Sequence, residues 1–202
     1  MHSSNDKKTG VRAEATSAHS LPADLESQLR LATFEITRDL SSLAKEIIGG
    51  RGEKVGISQT DQTESSLLFV QEFLFYCLVY ARNFSLILNR SYSEELAARL
   101  FELFCDSFYK NFFPEDTGPA PFEYFKVLFG KSYQAFVQKM EQKGMLSVSP
   151  NEFTAKCVDC IMESHALGPI FKQISTDQTR SRISEFLEKH VFLKISRILL
   201  SS

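Results

Sequence analysis

This chain of 202 residues has no tryptophan, only four histidines and four cysteines, and no excess of either charge. Each shortage bears on a class of function. Two of the histidines, His2 and His19, fall in a polar amino-terminal stretch, which leaves only His165 and His190 for general-base or metal chemistry in the apolar part of the sequence. The 23 Lys and Arg and the 25 Asp and Glu are spread evenly, with 11 basic and 13 acidic residues in 1–100 and 12 of each in 101–202. Binding to a phosphate backbone draws on clustered cations that release counterions. The densest groups here, Lys7-Lys8 and Arg180-x-Arg182, are too small for that, so no nucleic-acid partner is expected. Met1 to Ser20 contains nothing like the apolar core of a secretory signal, and a cytoplasmic location is the expectation. Cys77, Cys105, Cys157 and Cys160 all sit in apolar or helical contexts, where an intracellular thiol behaves as a small hydrophobe, so a disulfide framework is not indicated.

Catalytic signatures are missing too. There is no Gly-x-Ser-x-Gly element and no Gly-Lys-Ser/Thr phosphate loop. Gly50-x-Gly52-x-x-x-Gly56 follows a helical pattern where a dinucleotide loop would follow a strand, and it reads as helix stop and linker. Glu94-Glu95, Glu115-Asp116 and Glu185 with Glu188 read as helix-start charges, a loop and a solvated face. Cys157-x-x-Cys160, with His165 five residues on, is the one grouping with the flavour of a zinc site. It lacks a fourth ligand at any recognised spacing, and the unassigned His190 belongs to another helix. The pair falls mid-helix on the face of Phe153, Ile161 and Ser164, which favours core packing over metal or redox use. No catalytic, cofactor-binding or metal-ligating residue is therefore assigned, no cofactor is expected, and the sequence leans away from an enzyme.

What the chain has in quantity is aromatic side chains and helical periodicity: 18 Phe and 6 Tyr, most of them between Phe69 and Phe136. Residues 1–20 are too polar to repay ordering and are expected to be a disordered tail. From 21 to 202 a single all-α domain is expected. Leu25, Leu29, Ala32, Ile36, Leu40, Leu43 and Ile47 recur at steps of three and four, one apolar seam on a helix that Ser20 caps and Gly49-Gly50 ends. Residues 49–63 hold four glycines and read as a mobile loop. Asp61-x-x-Glu64 then opens a helix to about Arg90. Between Leu67 and Ala81 only Gln71 and Glu72 are strongly polar, and a helix apolar all round is buried, in lipid or in protein. Glu72 and Arg82 would be costly within a bilayer, so this segment is expected to be the central helix of a bundle and not a membrane span.

Ser91-x-x-Glu94 opens the next helix, striped with Leu96, Leu100, Phe101, Phe104, Phe108 and Phe112. Pro114, Gly118, Pro119 and Pro121 make a loop. A helix from Phe122 to Lys143 follows, with Phe122, Phe125, Leu128, Phe129, Phe136, Val137 and Met140 on one side, stopped by Gly144. Ser149-Pro150-x-Glu152 caps a helix that ends at Gly168-Pro169, and a last helix from around Ser175 to Asp177 carries Ile183, Leu187, Val191, Ile195 and Ile198. Six such patterns without an alternating strand predict an irregular antiparallel helical bundle around the helix at about 61–90. The rings of Phe73, Phe104, Phe125 and Phe136 are expected in its core.

Two functions suit that architecture. The first is a non-enzymatic helical interaction protein that self-associates, as a homodimer or other homo-oligomer, or docks another protein on an apolar helix face. Its motive is that the seams of the first and last helices lie at the two ends of the fold, where one could stay uncovered. The second is a carrier or sensor holding an apolar or aromatic small molecule between the Phe-rich helices from Asp61 to Met140.

Overall fold

All seven seam residues from Leu25 to Ile47 are buried, on a helix α1 (Ala23–Ala44) that continues through a wider π-type turn at Lys45–Gly49. The polar residues that share the buried face cost little, because their hydroxyls turn back on the helix: Thr37 Oγ1 donates to Thr33 O at 2.8 Å, and Ser41 Oγ to Thr37 O at 2.8 Å. This is the computed structural model of the chain, and it describes residues 21, 23–50, 56, 58–88, 93–113, 119–164 and 177–201. The expected tail at 1–20, the caps Ser20 and Ser91, His165 and the Gly168-Pro169 stop lie outside the described residues.

The central helix α2 spans Gln59–Ile87. It begins two residues before the expected Asp61, because Ser58 is the cap: its hydroxyl accepts from Asp61 N and donates to Asp61 Oδ2 at 2.7 Å. The segment read as a loop over 49–63 is thus helical at both ends, with Gly50 at φ −64° and ψ −23° and residues 59–63 in the first turns of α2. From Phe69 to Ala81 only Gln71 is not buried. The helix touches α1, α3 (Ser93–Phe112), α4 (Pro119–Gln142), α5 (Pro150–Met162) and the carboxy-terminal helix, so it is the axis of the bundle. It is long and apolar enough by length and composition to cross a membrane, and 72% of its most apolar window is buried inside the protein.

Pro119 and Pro121, expected in a loop, stand in the first turn of α4, where the backbone N–H groups have no helical acceptor and proline costs nothing. Gly144 ends that region at φ 67°, a left-handed conformation that a side chain would strain, and a single 3-10 turn (Met145–Ser147) leads on to α5. The buried residues of α4 are Phe129, Phe136 and Met140, while Phe122, Phe125 and Val137 are half-buried and Leu128 is exposed. Phe73 and Phe104 are fully buried as expected, and Phe125 is not. Ser149 caps α5 as its sequence indicates, accepting from Glu152 N. The helix stops at Met162, short of Gly168, and Ser164 turns inward to a buried partner.

The last helix runs as α6 (Asp177–Phe186), a π-type turn (Leu187–Phe192) and α7 (Leu193–Ser201). Its buried row is Ile183, Leu187, Val191, Ile195 and Leu199, with Ile198 only half-buried. The extra residue taken up by the π turn keeps every fourth side chain in line, so the row ends one residue later than an ideal helix would place it. This helix runs antiparallel to α1: Glu35 pairs with Lys194 (2.8 Å), Asp39 with His190 (3.7 Å) and Glu46 with Arg182 (2.9 Å). The two seams expected to compete for cover are therefore both buried within one chain.

Candidate functional site

Between α2, α3 and α4 the rings do not close the surface. A groove of about 620 Å3 runs there, walled by Leu86 and Arg82 of α2, by Ala97, Ala98 and Phe101 of α3, and by Gly130, Tyr133 and Gln134 of α4. Small residues line it: a Cβ on Gly130 would lie 3.6 Å from Phe101 Cζ, in ordinary contact, so a larger side chain there would extend into the groove. Its inner wall is aromatic and rigid. Phe101 lies 5.6 Å from Tyr133 and 5.5 Å from Phe129 between ring centroids, and Phe75 backs Tyr133 at 5.4 Å.

One end of the groove is pinned by charge. Glu102 accepts from Arg99 at 2.9 Å and from Lys126 at 3.3 Å, and Arg99 also grips Glu26, tying α1, α3 and α4 together. Hydrogen bonds from Arg99 hold both carboxyls below the usual glutamate range. Deeper in, burial pushes the Tyr133 phenol up, with the nearby Arg82 guanidinium acting in the opposite direction. Arg82 itself makes no ion pair among the described residues. Sequence reasoning used Arg82 only as an argument against a membrane span. The signals that could have found the groove are the small residues Ala97, Ala98 and Gly130 interrupting two aromatic helices.

A second polar cluster is buried between α2 and α5. Glu72, only 6% exposed, accepts from Ser164 Oγ on Oε2 at 2.7 Å, while its Oε1 has no hydrogen-bond partner among the described residues. One turn on, the Tyr76 hydroxyl is also buried, with no nitrogen or oxygen partner among the described residues. Burial raises the Glu72 carboxyl above the usual range, against the smaller pull of the Ser164 hydrogen bond and of Lys139 and Lys143. Cys157 faces the same cluster. It is fully buried, and burial drives its thiol well above the ordinary value, which disfavours the thiolate that metal binding and redox exchange both need. Cys160 is half-buried, with Met145 Sδ at 3.6 Å and Lys143 Nζ at 3.4 Å. His190 lies against Phe186 and Asp39 on the other side of the bundle. Among the described residues no group of three or more His, Cys, Asp or Glu could hold a metal ion. Cys157 is placed in the core with Phe153 and Ile161, and Cys160 packs half-buried against its edge.

Apolar side chains also remain outside. Tyr124, Val127 and Leu128, at positions i, i+3 and i+4 of α4, are 68%, 55% and 43% exposed. Comparison of the chain with protein-family models, with curated proteins and with solved structures found no match.

Proposed function

We propose that this protein is a non-enzymatic helical carrier or sensor that holds an apolar or aromatic small molecule in the groove between α2, α3 and α4. The observation that carries this reading is the groove itself, whose volume of about 620 Å3 falls in the range of small-molecule sites and whose wall is aromatic. It lies between the same helices whose phenylalanines suggested a pocket. The reading keeps α2 as the core helix of a cytoplasmic protein, supported by its buried apolar window and by Glu72 at its centre. A fluorescent apolar probe, N-phenyl-1-naphthylamine, tests it. Saturable one-to-one binding to the full chain is expected, abolished by Gly130→Leu, which projects a side chain into the groove opposite Phe101 and replaces glycine by a better helix former. Absence of saturable binding, or binding indifferent to Gly130→Leu, overturns the reading.

The α4 face favours a second reading, self-association. Tyr124, Val127 and Leu128 stand side by side, and a patch on one copy can meet the same patch on another across a two-fold axis. Sedimentation over a range of concentrations is expected to give a dimer that Val127→Lys dissociates. A chain that stays monomeric at high concentration removes this second reading.

A further inference from the structure

We infer that the ligand of the groove is an aromatic carboxylate, with Arg82 as its counter-ion and the ring wall of Phe101 and Tyr133 as its seat. The inference rests on the groove reading above and adds the charge of the occupant. The groove's lining carries four charged side chains. Glu102 and Lys126 neutralise each other, with Arg99 behind Glu102. That leaves Arg82 and Glu94 unpaired among the described residues. Arg82, on α2, lines the same groove as Phe101 of α3 and Tyr133 of α4, so an unpaired guanidinium shares the groove with the aromatic wall. Glu94 is exposed in the first turn of α3.

A planar guanidinium beside a ring favours one shape of partner: a flat apolar body with a carboxylate at its edge. The body stacks on Phe101 and Tyr133, and the carboxylate accepts two parallel N–H bonds from Arg82. A neutral ligand would leave the guanidinium solvated and gain only the apolar contact. A cationic one would meet Arg82 as a like charge at the same place.

The test compares 2-naphthoate with its neutral isostere 2-naphthamide by titration against the full chain. Expected is about tenfold tighter binding of the carboxylate, the worth of one charge-assisted contact, with the advantage shrinking as salt is raised. Arg82→Gln, an exposed site where the fold is not at risk, should remove the advantage and leave the amide unchanged; Arg82→Lys should retain part of it. Glu94→Gln should strengthen naphthoate and not naphthamide. Equal binding of the two probes, or an Arg82→Gln loss shared equally by both, overturns the charge assignment while leaving the groove reading standing. Failure of the groove reading has a different mark, since neither naphthalene probe nor N-phenyl-1-naphthylamine would then respond to Gly130→Leu.

Discussion

Replacing Phe129 by alanine is expected to lower the unfolding free energy by about 3–5 kcal/mol, the range for deleting a fully buried aromatic ring. Phe129 is 2% exposed and is the point where three helices meet. Its ring lies 4.9 Å from Phe75 on α2, 5.5 Å from Phe101 and 5.8 Å from Phe108 on α3, and 5.6 Å from Phe125 on its own helix. Removing it costs the transfer energy of the ring and also leaves a cavity that stiff aromatic neighbours cannot collapse to fill. Because a domain of this size is stable by only about 5–15 kcal/mol, the variant should melt at a much lower denaturant concentration. Phe125→Ala is the control. That ring stacks on Phe108 at 5.7 Å but is only half-buried, so its removal should cost clearly less. Equal losses in the two variants would mean that α4 is held by its outer edge and not by the Phe129 junction.

Phe129 and Phe125 lie on one apolar side of α4 by spacing alone, yet only Phe129 is buried. A helical seam is local information, and the α1 seam could be read to the residue because each step of three or four returns to one face. Which seam covers which is not local. The first and last helices each present a long apolar row, and only the fold reveals that they run antiparallel side by side, as Glu35–Lys194 and Glu46–Arg182 mark, with α2 packed against both and α3 against α1. The spacing puts Leu128 and Phe125 on the apolar side of α4, but apolar residues there occupy more of the circumference than the neighbours cover. In the last helix, buried residues at four successive steps of four are the mark of an underwound turn, and taking Ile198 for Leu199 was the consequence of assuming an ideal one. Proline misled in the opposite way. Pro119 and Pro121 break a helix interior but suit a helix start, and the sequence alone does not say on which side of the boundary they fall.

The groove was legible only in outline. A pocket between the aromatic helices followed from the wealth of phenylalanine, yet rings at helical spacing fill space as readily as they line it. Gly130 leaves space opposite Phe101 in the groove, and such a lack of side chain has meaning only once the facing helix is known. Arg82 gives the same lesson about charge. The other charged residues of its groove, Glu94, Glu102 and Lys126, come from two other helices, and Glu102 is already committed to Lys126 and Arg99.

Glu72→Gln is expected to stabilise the protein at neutral pH and to have little effect below about pH 4.3, the value for a free glutamate. Burial raises this carboxyl in the folded state, so folding favours its protonated form. The contribution of such a group is fully present while the unfolded chain is also protonated. It is lost as pH rises from the unfolded value through the folded one, and above that the deficit stays constant. Each unit of displacement is worth about 1.4 kcal/mol. The carboxamide has the same shape and keeps an acceptor for Ser164 Oγ at the position of Oε2, but has no charge to desolvate. Glu26 and Glu102 titrate in the opposite sense, since Arg99 holds them low and their stabilisation fades as pH falls. Both remain in the variant, so they cancel when its denaturant melts are subtracted from those of the natural chain at each pH. A difference that grows from near zero in acid to a plateau in base identifies Glu72 as a buried acid that folding disfavours once ionised. A flat difference would assign the carboxyl to solvent, and a loss of stability at neutral pH would mean that its charge is held by the Lys139 and Lys143 ammonium groups after all.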